Sequence, residues 1–171
     1  MQARTLAVAA QRTPAAQALQ AARHDLEASA AADHPWLSPL DAAALASGSA
    51  PILRDLEEYD QALTHAEQAV ALREAGRARS LALSRISLVD IHVRRGDLDA
   101  AVHVGHDLLS TSPTLGSVRV VQQFDGLRRL LEPHRGYLPV REYLTRFDDA
   151  RRVSMLLLAD LIPPHPGGIT A

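Results

Sequence analysis

The sequence contains no cysteine. Disulfides, thiolate zinc sites and cysteine nucleophiles are therefore excluded, and the absence suits a reducing compartment. Lysine and asparagine are missing too, so all 18 basic residues are arginines. Both missing residues have AT-rich codons, which points to a GC-rich bacterial genome. Aromatics are scarce, 4% against 47% hydrophobic residues, and alanine supplies much of the apolar share. Alanine buries little area, so it contributes close approach between helices more than transfer energy. No apolar run reaches the ~18 residues a membrane span needs. The short apolar run at Met1–Ala10 resembles a signal peptide but is broken by Gln11 and Arg12. A cytoplasmic, membrane-free chain is expected. The net charge of −2 argues against a generally nucleic-acid-binding protein.

What the chain does contain is helical periodicity. Residues 2 to 10 read as the end of a helix, and Thr13-Pro14 restarts one that runs to Ala31, with Ala18, Leu19, Ala22 and Leu26 on one face. Asp33 to Pro39 is a proline-flanked connector around the single tryptophan, Trp36. Further helices are predicted over 39–54, kinked at Pro51, then 59–74 and 78–94. The last of these is apolar nearly all round, as a helix between neighbours should be. Gly96 ends it in a left-handed conformation, and Asp97 or Asp99 caps the next helix, which runs to Leu109. Helices over 117–131 and from Tyr137 to Leu161 complete the set. Pro163 to Gly168 cannot continue a helix and forms a tail over 163–171. No segment shows strand alternation, so the chain is expected to be all-α.

The spacing Tyr59, Ala62, Ala66, Ala69 recurs 39 residues later as Leu98, Ala101, Gly105, Leu108. Each copy follows a helix and a short turn. Recurrence at this period marks a stacked array, because one helical hairpin cannot bury its own apolar face. With Gly96 in the turn and Pro113 after the second helix, the pattern resembles tetratricopeptide repeats; Glu57 stands where that family has a turn glycine. The match covers residues 40–113. It implies antiparallel helix pairs, about four here, over residues 1–162, in a right-handed α-solenoid with a concave groove. Pro35-Trp36, Gly96 to Ala101, Ser117 to Val120 and Leu131-Glu132-Pro133 are also similar to the C-terminal repeat region of bacterial XRE-type helix-turn-helix regulators. That likeness implies a module sensing a ligand or protein partner. Residues 1–31 do not resemble a helix-turn-helix, so DNA binding is not implied.

In such an array the first helix of each hairpin lines the groove. The repeat register then places Ser47, Pro51 and Arg54 there, with Ile86, Asp90, Val93 and Arg94 from the next hairpin. Arg119, Gln122 and Arg129 follow from the last. The partner-binding residues expected are Arg54, Asp90, Arg94, Arg119, Gln122 and Arg129, since guanidinium forks match carboxylates. The competing reading makes Asp90, Arg94 and Arg119 structural ion pairs. His103 and His106, three apart on one helix, could begin a metal site with His65, His92 or Asp107, but no motif supports one and no metal is expected. Residues 117–152 hold eight arginines and five acids; the interleaved acids and the scarcity of base-stacking aromatics favour a solvated face over a nucleic-acid surface. Met155 to Ile162 is more apolar than a terminal surface helix needs, so it is either a cap over the last hairpin or the face of a homodimer.

Catalysis is not expected, because no Ser-His-Asp order, phosphate loop or paired-acid motif occurs. No cofactor is expected either. The function foreseen is a non-catalytic interaction or sensing module in bacterial transcriptional regulation, holding a protein or peptide segment. The other reading is a small-molecule receptor with an apolar pocket between helices.

Overall fold

The computed structural model describes residues 12–30, 42–73, 78–111 and 118–161. The expectations for residues 2–10, the Trp36 connector, Pro113 and the tail beyond Pro163 lie outside these. Seven helices make up the described residues: α1 (Arg12–Ala30), α2 (Ala42–Asp55), α3 (Tyr59–Ala71), α4 (Ala78–Arg95), α5 (Leu98–Thr111), α6 (Val118–Leu131) and α7 (Leu138–Leu161). A 3-10 turn, Glu132–His134, joins the last two. No strand occurs among the described residues. The protein is all-α.

Two turns share one construction 39 residues apart. At the end of α2 the amide of Glu57 donates to the Arg54 carbonyl and that of Glu58 to Leu53. At the end of α4, Gly96 donates to Val93 and Asp97 to His92. This paired closure satisfies helix-terminal carbonyls and needs a left-handed residue at its corner. Gly96 takes it at φ 87°, and Glu57 takes the same corner at φ 63° despite its side chain. Asp97 then caps α5, accepting the Ala100 amide at 3.1 Å. Asp99 instead accepts the Tyr137 hydroxyl at 2.6 Å, tying the start of α7 to the start of α5.

The hairpins α2/α3 and α4/α5 pack internally, α3 packs on α4, and α4 meets α2 and α6. α5 meets α7, α6 meets α7, and α1 rests on α2. The buried set falls into two clusters that share α4. Leu88 and Ile91 join α1, α2 and α3 on one side, while Ala82, Ile86, Val89 and Val93 join α5, α6 and α7 on the other. That double duty explains why α4 is apolar nearly all round. Proline at 51 sits inside α2, where it leaves the Ser47 carbonyl without its usual amide donor.

Small residues set the seams of the central hairpins. Ala62, Ala66, Ala69 and Ala101 are fully or almost fully buried. Gly105 lets the Tyr143 ring lie so close that an added Cβ would stand 2.7 Å from it. The 39-residue spacing also continues further than the motif suggests. Val140, Leu144 and Phe147 follow Ala101, Gly105 and Leu108 at that interval, and all three are fully buried. Large residues replace small ones there, and Phe147 packs with Phe124 and Tyr143 at centroid distances of 5.2 and 5.9 Å. The first helix of that last hairpin is set one residue closer. Val120, Phe124, Leu127 and Leu131 repeat Ala82, Ile86, Val89 and Val93 at an interval of 38. The 3-10 turn takes up the difference.

Candidate functional site

The first helices α2, α4 and α6 line a single groove of about 1110 Å³, with α1 and α3 contributing to its wall. Small residues, among them Gly48, Ala44 and Ser84, line it beside larger apolar ones such as Leu45, Leu83, Ile86 and Leu127. Ser47 and Ser84 hydroxyls lie 3.2 Å apart and bridge α2 to α4. Ser49 is instead bonded back to the Leu45 carbonyl at 2.8 Å. The Ser87 hydroxyl is buried without a hydrogen-bond partner among the described residues.

Among the described residues, five arginines line this groove (Arg54, Arg73, Arg79, Arg94 and Arg119), against one acid, Asp90. Their states differ. Arg54 reaches from α2 to Asp90 on α4, and also bonds Asp55 through Nε at 2.9 Å and Nη2 at 2.6 Å. Burial works against the Arg54 charge, but Asp90 and Asp55 outweigh it and hold the guanidinium above its ordinary value. Arg94 donates through Nε to the other oxygen of Asp90 at 2.8 Å, one helical turn along α4. Arg73 donates Nη2 to the Ala43 carbonyl at 3.2 Å, with its Nε buried and without a partner among the described residues. No acid pairs with Arg79 or Arg119 among the described residues, and neither α4 nor α6 carries an acid in its first turn.

Of the residues expected in the groove, the structure brings together Ser47, Pro51, Arg54, Ile86, Asp90, Arg94 and Arg119. Val93 turns into the core shared with α5, α6 and α7. Gln122 is exposed and does not line the groove; its neighbour Gln123 does. Arg129 lies in a separate depression with Asp125, Arg128, Asp148 and Arg151, its Nε on the Asp125 carbonyl at 3.2 Å. The groove face of α6 runs instead through Arg119, Gln123, Gly126, Leu127 and Leu130, and on a helix of ~3.6 residues per turn a one-residue step turns a side chain by about 100°, which takes Gln122 and Arg129 off that face. Arg73, Arg79 and Gln123 were missed. For Arg79 the signal was present: Arg79, Leu83, Ser87, Asp90 and Arg94 form one helical stripe when the pattern is extended back to the start of α4.

Among the described residues, four of the eight arginines over 117–152 meet carboxylates. Arg128 meets Asp148 at 2.8 Å and Glu132 at 3.1 Å, Arg151 meets Asp125 at 2.5 Å, Arg135 meets Glu132 at 3.0 Å and Arg152 meets Asp149 at 3.3 Å. His103 is exposed, while His106 sets its ring edge-on to Tyr143 at 5.4 Å. Among the described residues, no three histidine, aspartate or glutamate side chains are grouped to hold a metal ion. No helix of the described residues is long and apolar enough to cross a membrane. At the far end of α7, Val153, Met155 and Leu156 stand exposed, Leu156 at 64%. No protein-family model matches this chain, nor does any curated protein or any solved structure.

Proposed function

We propose that this chain is a non-catalytic interaction or sensing module of bacterial regulation. In this reading it is a tetratricopeptide-like, right-handed solenoid that holds a protein or peptide segment along α2, α4 and α6. One observation carries the reading. Among the described residues, the first helices of three successive hairpins share a groove with five arginines against one aspartate, in a chain whose net charge is −2. An open, charged trough admits a peptide backbone and suits anionic side chains. A small-molecule receptor would instead call for a closed apolar cavity. Signalling would follow by population shift, with a bound segment favouring one curvature of the stack and so changing what its ends can dock.

Filling the floor tests this. An added Cβ at Gly48 meets nothing within 4 Å, so Gly48→Trp occupies the groove without disturbing the core. Dodecapeptides selected by phage display on the wild-type chain should bind Gly48→Trp at least about tenfold more weakly while the melting temperature holds. Equal binding to both proteins would sink the groove as the binding surface.

A further inference from the structure

The five groove arginines divide into two groups by what already holds them. Near the C-terminal end of α4, Arg54, Arg94, Asp90 and Asp55 form a closed set of two cations and two anions. Arg54 is committed to both carboxylates, and Arg94 is held through its Nε. This end is electrically balanced before any ligand arrives. Near the other end, Arg79 is the second residue of α4 and Arg119 the second residue of α6. Both face the groove, neither has an acidic partner among the described residues, and Arg73 adds a third guanidinium to the same wall. The positive charge of the trough is therefore concentrated where α4 and α6 begin.

We infer that Arg79 and Arg119 form the anchor for one anionic side chain, carboxylate or phosphoryl, on the bound protein segment, and that the Arg54–Asp90–Arg94 end receives an uncharged part of it. This inference rests on the groove reading above. An unpaired guanidinium offers a planar fork of donors that fits either anion, whereas one already bonded to carboxylates has its charge offset. Along α4, Arg79 and Arg94 are separated by about 22 Å at ~1.5 Å per residue. An extended segment covers that span with about seven residues at ~3.3 Å each. Among the described residues, the rest of the lining mixes Ser47, Gly48 and Ser84 with Leu83, Ile86 and Leu127 and offers no further unpaired charge to a bound segment. Asp90 also repels a second anion at the balanced end. The segment that fits is thus acidic at one end only.

Fifteen-residue peptide libraries with the central position fixed as glutamate, phosphoserine or glutamine, leaving seven residues on either side, provide the test. The wild-type chain should retain the glutamate pool, the phosphoserine pool or both at least about tenfold above the glutamine pool, the scale of one charge-assisted hydrogen bond. Retention of one anionic pool alone identifies its source as carboxylate or phosphoryl. The double variant Arg79→Gln/Arg119→Gln should lose that preference with an unchanged melting temperature. Arg141→Gln, outside the groove, should keep it within about threefold. Equal retention of the three pools by the wild-type chain, or an undiminished preference in the double variant, overturns the anchor. Loss of all pools in Gly48→Trp alongside either of those results leaves the groove standing and removes only the anchor. Equal retention by Gly48→Trp and wild type removes both.

Discussion

Glu57 occupies a left-handed corner that its repeat partner Gly96 fills with glycine, and the hydrogen bonds on either side are the same. A β-carbon in that conformation costs about 1–2 kcal/mol, part of which is returned because glycine loses more chain entropy on folding. Glu57→Gly should therefore stabilise the protein by about 0.5–1 kcal/mol in urea unfolding, and no gain would contradict the shared turn geometry. Gly105 presents the opposite case. Alanine there removes the helix penalty of glycine but drives a methyl group into the fully buried Tyr143 ring. The overpacking should dominate, at about 1–3 kcal/mol of destabilisation. A neutral Gly105→Ala would mean that α5 and α7 are further apart than described. Tyr143 itself is a residue the sequence gives no reason to single out. Burial pushes its phenol above the ordinary range, and its hydroxyl has no hydrogen-bond partner among the described residues.

Elements behave according to what lies on both their sides, and α4 shows it best. Its run of Ile86, Leu88, Val89, Ile91 and Val93 signals a sandwiched helix in sequence, and the two clusters it joins are the reason. His92 belongs to the same buried surface near the turn, 3.9 Å from Asp97. Burial lowers its pKa below the ordinary 6.5 and outweighs the pull of Asp97 and Glu67, while Arg95 lowers it further. The folded state thus binds this proton less readily than the unfolded chain does. Its contribution is complete above pH ~6.5 and is lost as the pH falls from there through the folded-state value. Unfolding free energy should rise with pH across that window, and His92→Gln should flatten the rise. An unchanged slope in the variant would assign the dependence elsewhere. The last hairpin was the least legible element. It buries Val140, Leu144 and Phe147 where the motif expects small residues, and the groove face of α6 runs through Arg119, Gln123 and Leu127, not through Gln122 and Arg129.

At the scale of the whole molecule, two clusters joined through one helix should unfold as a unit. Phe147→Ala opens a cavity among Phe124, Tyr143 and Leu144, at about 3–5 kcal/mol, a large share of the 5–15 kcal/mol typical of a domain. The expected outcome is one calorimetric transition with its midpoint lowered by roughly 10 °C or more. Two separated transitions, with α2 and α3 melting at the wild-type temperature, would show that α4 does not couple the halves. The molecule's charge is arranged on the same scale. Arginines and acids interleave along the chain, yet their pairing is uneven once folded: the depression near Asp148 is neutralised, and the groove is not.

Local periodicity was enough to determine the all-α class, the places where helices start and stop, and the 39-residue recurrence of the central hairpins. These follow from side-chain spacing and turn chemistry within one or two turns of chain. Which arginines are already paired was decided only by tertiary structure, because Arg54 and Asp90 lie 36 residues apart and meet across two helices. The one-residue offset of α6 was likewise invisible, since a 3-10 turn absorbs it without breaking the helical pattern on either side.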